Sequence, residues 1–220
     1  MGVAASVLLR PSPLTSASTA AGRLFREFSG VVHEVAKALD DRHGDEAVTA
    51  LERARHLDGQ LHEFRGVLEQ ADESVRLVPT YWHMRPALAR WRVADRPLEF
   101  AVRNVRVLAR DAVRVIDLEP HPPDGLSAAT EQLASAAHAV EQQLEAGGER
   151  SRAEKAVLRA AGLATLVAEP RATMPVSAMV AEIRATATDL LETSGLYHET
   201  AVTKVRQAAG ELTQEGVTTT

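Results

Sequence analysis

Between Ala50 and Val78 the apolar residues Ala50, Ala54, Leu57, Leu61, Phe64, Leu68, Ala71, Val75 and Val78 recur at alternating spacings of four and three. No other part of the chain restricts the fold as much. Such a seam belongs to a helix that lies lengthwise against another helix. The element runs from about Asp45 to Leu77, on the order of 50 Å at 1.5 Å per residue, and needs a partner of similar length. The stretch Arg85 to Asp117 is the one comparable segment nearby. Its residues Leu98, Val102, Val105, Ala109, Ala112 and Ile116 fall on one side of a helix and face a core. Pro79 ends the first of these helices and Pro86 can open the second, so residues 45–78 and 85–117 read as a long antiparallel hairpin with Tyr81 and Trp82 at its turn.

The opposite side of the Arg85–Asp117 helix is cationic. Arg96, Arg103, Arg106, Arg110 and Arg114 recur at helical spacing with Glu99 among them, and Asn104 lies beside the stripe. Residues 79–118 carry eight basic and four acidic groups, whereas the flanking stretches are both net acidic. One reading pairs these arginines with Glu99, Asp111 and acids on adjacent helices. The others place them against anionic lipid headgroups, or around an anionic organic ligand held by forked guanidinium contacts with Trp82 or Trp91 stacking on it. This pattern, a positive middle between negative flanks, argues against nucleic acid, which needs a broad basic face to displace counterions.

Upstream, Leu24, Phe28, Val31, Val35 and Ala38, widened by Val32 and Leu39, give a first helix after a Ser/Thr/Pro/Ala-rich link from Pro11 to Thr19. Pro97 interrupts the central stretch and reads as a kink in a continuous helix. Asp95 just before it is either an N-cap or a buried carboxylate on the apolar side, with capping the simpler account. The sequence EPHPPDG at 119–125 is a firm breaker. Beyond it Leu126, Ala129, Leu133, Ala136, Val140 and Leu144 mark a fourth helix ending at Gly147 and Gly148, and an alanine-rich fifth runs from about Glu149 to Ala168. A sixth carries Val176, Val180, Ile183, Ala187 and Leu190 and is capped near Gly195. A last segment holds Ala201, Val205, Ala208 and Leu212. Few aromatics and abundant Ala, Leu, Val, Glu and Arg fit packed helices better than sheets.

The expected fold is therefore all-α, a bundle of about six helices. Its parts are an arm or the end of a membrane helix at 1–13, a hairpin subdomain at 14–118, a second helical subdomain at 119–212 packed on the first, and a disordered tail at 213–220.

No pattern of catalysis emerges. With no cysteine there are no disulfides, thiolate metal sites or cysteine nucleophiles, which suits a reducing compartment. His33-Glu34, His62-Glu63 and His198-Glu199 each start a helical zinc-protease pattern, yet none has a second histidine four residues after the first. Asp40 with His43 and Asp58 with His62 read as solvated surface pairs. There is no nucleophile elbow, phosphate loop or dinucleotide fingerprint, so the reading is of a non-enzyme with no cofactor.

The run from Val3 to Leu9 is too short to span a bilayer, and Arg10 follows it where the positive-inside rule places a cytoplasmic boundary residue. The segments ALERARHLDGQL (50–61), SVRLVP (74–79), AVRNVRVLAR (101–110) and TSGLYHETAV (193–202) together resemble the C-terminal cytoplasmic region of bacterial fusaric-acid-resistance-like (FUSC) permeases, the aromatic acid exporter family. The likeness covers roughly 11–209, with VAASVLLRPSPL at 3–14 looking like the join to membrane helices. After SVRLVP the chain reads TYWHMRPALARW, less densely basic than the family pattern. The resemblance implies a helical domain on the cytoplasmic side of the bacterial inner membrane. It would act in assembly, gating or regulation of an exporter of aromatic or other organic acids, with the inner membrane, the exporter's own membrane helices and a second copy as partners. The alternative is a stand-alone cytoplasmic helical bundle that binds or scaffolds another protein.

Overall fold

The computed structural model of the protein describes residues 11–123, 125–147, 150–168 and 172–218. Among them are seven α-helices and no strand: α1 Pro13–Asp41, α2 Gly44–Leu77, α3 Arg85–Leu118, α4 Leu126–Ala146, α5 Arg150–Val167, α6 Met174–Thr193 and α7 His198–Thr218. A 3-10 turn at Pro79–Met84 joins α2 to α3. The all-α class holds, with one helix more than the expected six. The apolar run at 3–9 and its boundary Arg10 lie outside the described residues.

Local signals explain most boundaries. Pro13 opens α1 and the Ser12 hydroxyl accepts from the Thr15 N–H at 3.1 Å, a proline-plus-serine start. The expected link at 11–19 is thereby corrected: all but its first two residues are helical. Val78 is extended ahead of Pro79, as a residue before proline tends to be. Gly195, at φ 96, closes α6: its N–H donates to Glu192 O and that of Leu196 to Leu191 O. That is the bond pattern of a glycine-terminated helix. α7 runs on through residues 213–218, where a tail was expected.

α1 and α3 lie side by side under α2, α4 and α6 pack on their other side, α5 bridges α4 and α6, and α7 closes over α5 and α6. The hairpin of α2 and α3 is antiparallel, since ion pairs join Asp58 to Arg106, Arg65 to Glu99 and Asp72 to Arg92. The seam of α2 is buried from Ala50 to Val75 and is shared between α1 and α3, while Val78 is exposed. α3 buries more than one side. Leu98, Val102, Val105, Ala109 and Ala112 are joined inside by Leu108, Val115 and Ala101, and only Ile116 of the expected face is partly exposed. Trp91 sits at the centre, its ring 6.0 Å from Phe64 at a near-perpendicular 72° and 6.4 Å from Phe25, an arrangement aromatic quadrupoles favour. Pro97 lies inside an unbroken α3. Asp95 is accordingly neither an N-cap nor an unpartnered buried acid: it accepts from Arg65 Nε at 2.6 Å.

Candidate functional site: the charged face of α3

Most arginines of the stripe are tied to carboxylates. Arg106 donates to Asp58 Oδ2 of α2 at 2.5 Å. Arg103 pairs with Glu99 one turn earlier. Arg110 and Arg114 both reach the buried Asp111, at 3.4 and 3.1 Å. Arg96 has no carboxylate partner among the described residues; it stands over the Phe100 ring at 5.9 Å, and Arg103 stands over the same ring at 5.9 Å. Glu99 accepts from Arg65 at 2.7 Å as well, and that hydrogen bond, with the charges of Arg65, Arg103 and Arg96, holds its carboxyl below the ordinary value against the opposing effect of burial. Across the α1–α2 interface Arg53 spans Glu27 and Glu34, and Arg23 meets Glu63 at 2.8 Å. Exposed pairs of this kind contribute about 0–1 kcal/mol each, so they fix register more than they stabilise.

Asn104 behaves differently from its neighbours. Its Nδ2 donates to Asp189 Oδ2 of α6 at 2.7 Å, across the α3–α6 interface. Asp189 is pushed up to about 7, first by burial and then by the Glu192 charge, with the Asn104 bond and His198 opposing. Nearby, burial and the Asp111 charge raise Glu182 above its usual range. The Glu192 carboxylate, 2.7 Å from His198 Nδ1, draws the imidazole upward, so it holds its proton more readily. The α3–α6 seam thus gathers Asp111, Glu182 and Asp189 from two helices, with Arg110, Arg114 and His198 as the opposing groups. Sequence reasoning missed Asp189 and Glu182. The available signal was their seven-residue spacing on α6, next to the apolar Ile183 and Leu190.

The seam can exchange a proton near neutrality, and the arginine face can present fixed charge. Neither assembles a nucleophile with a base. Asp41, His43 and Glu46 bring ligand-type atoms within 4.8 Å of one another. Lys37 Nζ, however, stands 3.9 Å from Asp41 and 3.3 Å from Glu46 and supplies the positive charge there. No helix among the described residues is long and apolar enough to cross a membrane. No family model, curated protein or solved structure matches the chain.

Proposed function

We propose that this chain is a non-catalytic helical domain serving a membrane exporter of organic acids from the cytoplasmic side, with a role in assembly or regulation. The observation that carries the reading is the likeness of the four segments at 50–61, 74–79, 101–110 and 193–202 to the cytoplasmic region of FUSC permeases. The helical architecture is of the kind that likeness implies. The engagement of most stripe arginines with carboxylates of α2 and α3 suits a body that keeps its shape under load. The stand-alone scaffold keeps a claim through Leu77 and Trp82, both exposed at the hairpin turn, where an interacting helix could seat.

Fractionating the source cell and probing with an antibody to this domain tests the proposal. A membrane band well above 23.7 kDa is the expected result, and a soluble band at 23.7 kDa would overturn it. Should the arginine face touch lipid, binding of the chain to anionic phospholipid vesicles will weaken with salt and with Arg103, Arg106 and Arg110 changed to Gln.

A further inference from the structure

A cavity of about 340 Å³ and another of about 440 Å³ flank the bundle, the second walled by Arg65, Asp72, Arg92 and Asp95. In that second cavity both guanidiniums are already bound to Asp95, Glu99 and Asp72. A third cavity, of about 330 Å³, is built otherwise. It lies where α3 passes the C-terminal ends of α4 and α6, and it is walled by Arg90, Arg150, Gln143 and the apolar Pro86, Val93 and Leu144.

Two left-handed glycines shape it. Gly147, at φ 62 after α4, leaves room for the Arg90 guanidinium, whose atoms lie 3.3–3.4 Å from the point a Cβ would occupy. Gly195, at φ 96 after α6, does the same for Arg150, whose Nη2 is 3.3 Å from such a point. Each cation therefore rests on a helix C-terminus, where the peptide dipoles favour positive charge. Arg90 Nε donates to the Leu144 carbonyl at 3.2 Å, which sets the plane of its fork. Among the described residues neither Arg90 nor Arg150 has a carboxylate within ion-pair distance. Gln143 Nε2 donates to Ser194 O at 3.0 Å, while its Oε1 is buried with no hydrogen-bond partner. A buried carbonyl oxygen without a donor is unfavourable, so this side chain of the cavity wall has an unmet need for an N–H or O–H. Val93 is 63% exposed, a large apolar side chain at the rim.

We propose that this cavity binds a small amphipathic carboxylate. The anionic head takes the free guanidinium N–H groups of Arg90 and Arg150, the body lies on Val93, Pro86 and Leu144, and a donor on the ligand meets Gln143 Oε1. The volume and the balance of apolar wall to few polar groups are those of small-molecule sites, and planar guanidiniums are matched to carboxylate geometry. Binding here does not depend on where the chain resides in the cell.

The probe is N-acetyl-L-leucine, which carries a carboxylate, an amide N–H and an aliphatic body, titrated into the isotope-labelled full chain and followed by NMR. Saturable shifts are expected at Val93, Leu144, Ser194 and Gly195, with half-saturation on the order of 1 mM for a ligand of about a dozen heavy atoms. The neutral N-acetyl-L-leucinamide should bind about tenfold more weakly, and Arg90→Gln and Arg150→Gln should each weaken the acid severalfold. Absence of saturable shifts at these residues, equal binding of acid and amide, or undiminished binding in a folded double variant would overturn the proposal. Inorganic phosphate binding as well as the acid would overturn its amphipathic part. If the variants fail to fold, the comparison of acid with amide on the unmutated chain decides alone.

Discussion

Asn104 spends its one bonded N–H on Asp189, and the partly buried carboxyl it meets is pushed up to about 7. The sign of the linkage follows. An acid whose folded value is raised keeps its proton in the native state where the unfolded chain has lost it, so stability is full below about 4 and falls as pH rises toward 7. Solvent access screens part of this, and the loss attributable to Asp189 should be about 2 kcal/mol. Urea melts at pH 4 and pH 8 should show it, and Asp189→Asn should flatten the difference. Trp91, 1% exposed between Phe25 and Phe64, gives a second expectation at this scale. Trp91→Ala should cost about 3–5 kcal/mol in the same melts. The positions of the stripe residues were readable from spacing, but their partners were not. Asp58 and Asp189 lie on other helices, 48 and 85 residues from the groups they hold. Asp95 was misread because the nearby proline signals a helix start more loudly than a single acid signals an ion pair with Arg65.

Helix α3 carries Pro97 in its interior, which removes one backbone donor and leaves the carbonyl of Val93 without its helical partner. Val93 itself is largely exposed. Pro97→Ala should stabilise the chain by about 1–2 kcal/mol, measured by chemical denaturation, after the greater freedom of the unfolded variant is set against the restored bond. Gly162 on α5 has the opposite expectation. A Cβ there would lie 2.5 Å from Leu212 Cδ1 and 2.9 Å from the Ala208 carbonyl oxygen of α7. Gly162→Ala should destabilise by about 1–2 kcal/mol despite alanine's better helix propensity, with amide exchange quickening first in α7. The existence of these helices was legible, since the 3.6-residue pattern of each survives burial almost intact. The start of α1 was not, because Ser, Thr, Ala and Pro from 11 to 19 resemble a linker in composition, and only Ser12 with Pro13 marks a cap. Likewise the second buried side of α3 was hidden: Ala101 and Leu108 fall outside the narrow stripe that pairing with α2 alone would require.

One continuous apolar cluster contains residues of all seven helices, from Ala17 to Ala208. Helices on either side of the breaker at 119–125 share that body, with α1 packed on α4 and α3 on α6. A fragment of residues 119–218 would expose the sides of α4 and α6 that meet α1 and α3. Expressed alone it should give little helical circular dichroism and aggregate, whereas the whole chain should unfold in one transition by dichroism and by tryptophan fluorescence. Composition and periodicity conveyed the class of the molecule, but not this interleaving, since each amphipathic helix records that it has a partner and not which one.

The two-sided burial of α3 also bears on how the protein is made. When Leu118 has left the ribosome, α2 can already cover one side of α3, yet the side destined for α6 waits for about 75 more residues, until Thr193 has emerged. At synthesis rates of about 5–20 residues per second, that side of the nascent chain stays open for several seconds, long on the scale of hydrophobic collapse. During that interval Leu108 and Val115 are surfaces a chaperone can hold.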